Sequence, residues 1–279
     1  TYYVYNLQLL CQWLWVMDNT IITIIGFSII FIMTTLGSSL VFLFKKNISN
    51  NINSFLLGIA GGIMVAASIW SLIMPSIAMS EESFGKYAWF PAAVSIILGG
   101  VVLALLDKIV PHMHNGTHQE EGPKSHFSKS MKLFFAVTLH NIPEGLAVGF
   151  AFGAAAVAGE NTAFISALGL AIGIGIQNFP EGAAISLPMR QVTGSRGKAF
   201  LFGMGSGVVE PLSAILGFFL ASHLIILQPW LLAFSAGAML FVVAEDLIPD
   251  ANISENPHTG TWGFMVGFII MMILDVALG

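Results

Sequence analysis

The sequence predicts an all-α polytopic membrane protein: eight transmembrane helices, an inverted-repeat-like core and both termini outside. Three observations carry this. Of the 279 residues, 56% are hydrophobic and only 9% charged, against about 25% charged in a soluble domain. Several apolar runs exceed the roughly 20 residues that a helix needs to cross a bilayer. The basic residues alternate from one loop to the next. Runs rich in Gly, Ala and Leu without period-two alternation exclude barrel strands, and no basic patch offers itself to nucleic acid. Cys11 is the single cysteine, which excludes an intrachain disulfide and a cysteine metal cage.

In chain order, an apolar stretch with Trp13 and Trp15 but no preceding basic cluster makes residues 1–20 an interfacial segment. Spans follow near 21–44, 54–79, 89–109, 131–157, 162–189, 197–221, 229–248 and 261–278. Lys45, Lys46, Lys108, Lys124, Lys129, Lys132, Arg190, Arg196 and Lys198 fall on one side, and Lys86 alone on the other. By the positive-inside rule the first side is cytoplasmic and both termini face outward. The polar loop 110–130, with His112, His114, His118 and His126, is then cytoplasmic, and its imidazoles are candidates for transient metal binding.

Spans four and five carry a repeated motif, His140-Asn141-Ile142-Pro143-Glu144-Gly145 and Gln177-Asn178-Phe179-Pro180-Glu181-Gly182. Each copy places a metal-capable side chain and a glutamate one helical turn apart on one face. The short connection at Gly159-Glu160-Asn161 makes the two spans antiparallel, so the motif enters once and leaves once. Such a pseudo-two-fold arrangement commonly places a binding site near the midplane, where helices are interrupted. Pro143 and Pro180 lack an N–H, leaving the carbonyls of Leu139 and Ile176 without their helical donors. Inside a membrane such oxygens need another partner, such as water or a cation.

A carboxylate in hydrocarbon is costly and marks function. His140, Glu144 and Glu181 supply imidazole and carboxylate donors, and Asn141, Gln177 and Asn178 supply amide oxygens. This mixture suits Zn²⁺, and also Fe²⁺, Mn²⁺ or Cd²⁺. Glu210, followed by Pro211 on span six, adds a third carboxylate. The alternatives are structural: an interhelical hydrogen-bonded pair for Glu144 and Glu181, a hydrogen-bonded His140, a Glu210 that is no ligand, and packing amides at Asn141 and Asn178. Gly145, Gly149 and Gly153, and likewise Gly169 and Gly173, recur every fourth residue and allow close helix approach. Asp107, Glu245, Asp246 and Asp250 near the cytoplasmic ends of spans three and seven read as a solvated rim or as an inner vestibule on the ion's exit.

These motifs, together with Val208-Val209-Glu210-Pro211, resemble the ZIP (Zrt/Irt-like) metal transporter family, in its prokaryotic GufA-type branch. The resemblance covers nearly the whole chain as a single transmembrane domain, residues 1–279. It implies uptake of Zn²⁺ or a similar divalent ion toward the cytoplasm, in the cell (inner or plasma) membrane, with the ion as cargo and no cofactor. Carried over, the ligands are His140, Asn141, Glu144, Gln177, Asn178, Glu181 and Glu210. Met64 on span two resembles the branch's sulfur ligand, although a buried Met is usually a gap filler, and Ser71 lies on the path. The resemblance also implies an elevator-like motion of spans one, four, five and six against spans two, three, seven and eight, and a homodimer. One departure stands out. Asn178 occupies a position that is acidic in many relatives, so a second ion is expected to bind weakly.

Other classes are weaker. An intramembrane metalloenzyme needs a free general base, and the proline-bearing H-x-x-x-E here lacks the H-E-x-x-H pattern. A metal-selective channel and a proton-coupled exchanger share the same ion site.

Overall fold

In lipid every backbone polar group must be satisfied within the protein. The apolar runs accordingly form long helices. The structure, a computed structural model, describes residues 19–43, 49–109, 112–113, 120–121, 129–252 and 258–278. Eight helical segments among these are long and apolar enough to cross a membrane. They are Asn19–Leu43, Asn50–Tyr87, Trp89–Ile109, Val137–Ala158, Asn161–Leu187, Arg196–His223, Ile225–Ala251 and His258–Ala277, called spans one to eight. Span four belongs to a helix Lys129–Ala158 and span five to a helix Asn161–Thr193. The segment 1–18 falls outside the described residues, as do His114, His118 and His126. His112 and Met113 pair in antiparallel register with Glu121 and Glu120 as a two-residue bridge.

Burial sorts the spans into two layers. Spans four and five are 67% buried and spans two and seven 61%, whereas the other four are 22–33% buried. The first four therefore form the interior, and spans one, three, six and eight turn apolar faces outward. Ile97, Leu105, Leu212 and Ile269 are among the exposed side chains, as a lipid-facing surface requires. The densest packing joins one with five, four with six, two with eight and three with seven. The chain thus divides into two interlocked sets, one-four-five-six and two-three-seven-eight.

Glycine makes the closest of these contacts possible. A Cβ at Gly145, Gly149 or Gly153 would sit 2.3, 2.2 or 2.7 Å from a backbone oxygen of span six, those of Glu210, Ala214 and Phe218. The four-residue stripe read from the sequence is the span four–span six interface. The turn between spans four and five uses Gly159 at φ +69°, a left-handed conformation open to glycine at no steric cost.

Two expectations about backbone irregularity are corrected. Both motif helices run unbroken through Pro143 and Pro180. Proline removes one bond from the ladder, and the flanking bonds carry the helix past it. The irregularities lie instead in spans two and seven, as π-helical turns at Ser68–Ile73 and Val243–Leu247. Such turns insert one extra residue and are frequent at functional sites. One contains Ser71, the other Glu245 and Asp246.

Candidate metal centre

The two motif helices and span six bring seven polar side chains into the interior. Asn141, Glu144, Gln177, Asn178 and Glu210 are at most 1% exposed, and His140 and Glu181 are also buried. These are the residues singled out by sequence, and the structure gathers them in three neighbouring groups, Glu144–Gln177–Glu181, Asn141–Glu210–Asn178 and His140–Asp246.

Gln177 stands between the motif carboxylates. Its Nε2 donates to Glu144 Oε1 at 2.7 Å and to Glu181 Oε1 at 2.9 Å. Span six is held by the other two amides. Asn141 Nδ2 donates to the Ser206 carbonyl at 3.0 Å and to Glu210 Oε1 at 3.1 Å. Asn178 Nδ2 donates to Glu210 Oε2 at 2.7 Å. His140 Nε2 lies 3.1 Å from Asp246 Oδ2 on span seven.

What these groups leave over is all of one kind. Asn141 Oδ1, Glu144 Oε2, Gln177 Oε1, Asn178 Oδ1 and Glu181 Oε2 are buried oxygens with no hydrogen-bond partner. Each such atom costs roughly 1–3 kcal/mol, more when charged, and native interiors hold few of them. All five belong to the two motifs and are acceptors only. A cation is the species that satisfies acceptors without needing a donor for each. Among the described residues no three His, Cys, Asp or Glu side chains converge as a ready cage, because the amides stand between the acids.

The remaining sequence-derived candidates are distributed around these groups. Met64 is fully buried in the apolar core, where both the gap-filling and the ligand readings would put it. Asp107 is 4% exposed, so the solvated-rim alternative fails for it. The same holds for Asp246, turned inward by the π turn. Glu245 beside it is exposed and is not brought to these groups. Ser71 donates a short hydrogen bond to Asp275 Oδ1 on span eight. The pair lines a cavity of about 380 Å³ on the side where spans four and five are joined.

Several contributors escaped the sequence reading. Thr34 of span one donates to Glu210 Oε1 at 2.7 Å. Ser235 of span seven donates to the Pro143 carbonyl at 2.7 Å. Asp275 was not singled out, although an acid inside an apolar span was signal enough. Met64, Ser71 and Pro75 on span two are echoed by Met239, Asp246 and Pro249 on span seven. In both spans the polar residue of the π turn stands seven positions after the Met.

Comparison with known proteins gives the family. The sequence profile of the family described as "ZIP Zinc transporter" matches residues 20–132 and 125–275. The chain is 36% identical to "Zinc transporter ZIP11" of Homo sapiens, over 88% of this chain and 94% of that protein. It is 37% identical to "Zinc transporter ZIPB" of Bordetella bronchiseptica, over 89% and 79%. It is 32% identical to "Zinc transporter GufA" of Myxococcus xanthus, over 80% and 85%. With eight membrane-spanning helices and the paired motifs at their centre, the chain belongs to the ZIP zinc transporter family.

Proposed function

We propose that the chain carries Zn²⁺ across the cell membrane toward the cytoplasm, through an ion site built on spans four and five. The observation that carries this reading is the set of five unpartnered acceptor oxygens buried between the motifs. His140, Glu144, Gln177 and Glu181 supply one nitrogen and three oxygens for a tetrahedral dication. Asn141, Asn178 and Glu210 lie beside them. Fe²⁺, Mn²⁺ and Cd²⁺ accept the same donors, and Zn²⁺ is preferred because the relatives are named zinc transporters.

The cavity at Ser71 and Asp275 is the outer approach, where an acid at a mostly apolar wall attracts cations. Asp246 and Asp107 form the inner departure. Movement is proposed as an elevator, spans one, four, five and six shifting against the rest. The division of packing into these two sets supports it, and polar ties between spans four and seven would be broken in the movement. Two are Ser235 to the Pro143 carbonyl and Asp246 to His140.

Uptake of Zn²⁺ into proteoliposomes, with Cd²⁺, Fe²⁺ and Mn²⁺ in parallel, tests the reading. Wild type accumulates Zn²⁺, and Glu181→Ala inserts and folds but transports nothing. Near wild-type uptake by Glu181→Ala would remove the site from spans four and five. A turnover far above the rate of domain motions, microseconds to milliseconds or slower, would make it a channel.

A further inference from the structure

We propose that Thr34 of span one is a positioning residue of the ion centre: with Asn141 and Asn178 it holds Glu210 as a hydrogen-bonded counter-charge, so that the centre takes one cation at a time. This rests on the ion-binding reading above.

The three buried carboxylates are not equivalent. Glu144 and Glu181 each keep one oxygen without a partner. Both oxygens of Glu210 are engaged. Oε1 accepts from Thr34 at 2.7 Å and from Asn141 at 3.1 Å, and Oε2 accepts from Asn178 at 2.7 Å. Bonds to an ionised acceptor are roughly twice as strong as neutral ones. A cation that takes Oε1 must displace Thr34 or Asn141, and one at Oε2 must share that oxygen with Asn178, whereas one that takes Glu144 and Glu181 finds an unpartnered oxygen on each. Glu210 therefore balances charge from a fixed place.

Thr34 is seated for this role. It is 1% exposed and lies between two glycines that make room for it. A Cβ at Gly182 would sit 2.1 Å from the Thr34 carbonyl oxygen. A Cβ at Gly207 would sit 2.8 Å from Thr34 Cγ2 and 3.2 Å from Glu210 Oε1. The hydroxyl has one proton and two acceptors in reach, Glu210 Oε1 and the Ile30 carbonyl at 3.1 Å. With Glu210 free the anion holds the proton. If a cation draws Glu210 away, the hydroxyl turns to Ile30, a back-bond common for threonine in helices. The hydroxyl thus stays satisfied in both states, and its bond to Glu210 resists a second ion in only one of them.

Equilibrium Zn²⁺ binding to the purified full chain in detergent separates the possibilities. Thr34→Val keeps the shape and removes the hydroxyl. Thr34→Ser keeps the hydroxyl and removes the methyl. Wild type binds one equivalent tightly. Thr34→Val binds a second, on the order of tenfold more tightly than wild type does, the size expected for one lost bond to a charged acceptor. Thr34→Ala, which needs less room, does the same. Thr34→Ser titrates as wild type, and the gain vanishes in Thr34→Val/Glu210→Gln. A wild-type titration by both Thr34→Val and Thr34→Ala overturns the proposal. So does a gain in Thr34→Ser, or one that survives without Glu210. Absence of the first equivalent in folded wild type overturns the ion-binding reading instead.

Discussion

Asp246 on span seven lies 3.1 Å from His140 on span four, so a third helix reaches into the first copy of the motif. The π turn at Val243–Leu247 aims it there, since Asp246 is buried while Glu245 beside it is exposed. Ser235 touches the same turn of span four through the Pro143 carbonyl. Span seven thus sets the position of the only imidazole among the seven side chains of the candidate centre.

The first prediction concerns that contact. An acceptor on Nε2 fixes ring orientation and leaves Nδ1 for an ion. Asp246→Asn is expected to lower Zn²⁺ affinity about 10- to 100-fold, as loss of such a partner usually does. Calorimetric titration of the purified variant measures it. An unchanged affinity would mean that the contact does not orient the ring for binding.

Much of this was legible in the sequence, and for physical reasons. A bilayer demands long apolar helices, so eight spans could be counted from composition. Buried acids are costly, so Glu144, Glu181 and Glu210 announced themselves. The stripe Gly145, Gly149, Gly153 marked a close interface. What was missed follows from the same physics. Thr34 looks like any hydroxyl that can bond back to its own helix, and only the fold brings Glu210 to it. Asp246 stood near a span end and read as rim or vestibule, because a π turn has no composition of its own. The recurrence of Met64, Ser71 and Pro75 as Met239, Asp246 and Pro249 was present but diluted by apolar residues. The prolines were expected to interrupt the helices, and the flanking ladder proved sufficient.

A second prediction tests the glycine stripe. A Cβ at Gly149 would meet the Ala214 carbonyl oxygen at 2.2 Å, and a backbone atom cannot swing aside. Gly149→Ala is expected to push spans four and six apart at a cost of about 1–3 kcal/mol, the usual range for overpacking. A lower melting temperature in detergent is the readout. Wild-type stability would show that the interface gives more easily than its spacing implies.

A third prediction concerns orientation. The positive-inside rule puts Lys45, Lys108, Arg190 and Lys198 in the cytoplasm; on that expectation a cysteine at Gly116, in a Cys11→Ser background, should react with an impermeant reagent only after the membrane is opened. Labelling of intact cells would reverse the topology and with it the proposed direction of uptake.

The last prediction turns on Asn178. Its amide donates to Glu210 at 2.7 Å, and its own oxygen has no partner. Asn178→Asp changes two things together. It removes a donor from Glu210, and it adds a negative charge next to a carboxylate. Two like charges in a low-dielectric interior are unfavourable until a cation lies between them. A second dication supplies that charge, with Asn141 Oδ1, the new carboxylate and Glu210 as its oxygens. Asn178→Asp is therefore expected to raise occupancy of the second position well above that of wild type. Release of the ion should slow, because the added charge must be left behind. Metal stoichiometry by anomalous scattering or equilibrium binding, wild type against Asn178→Asp, measures the first effect, and single-turnover efflux from loaded proteoliposomes the second. Full occupancy of two sites in both proteins would show that an amide at this position is no handicap to a second ion.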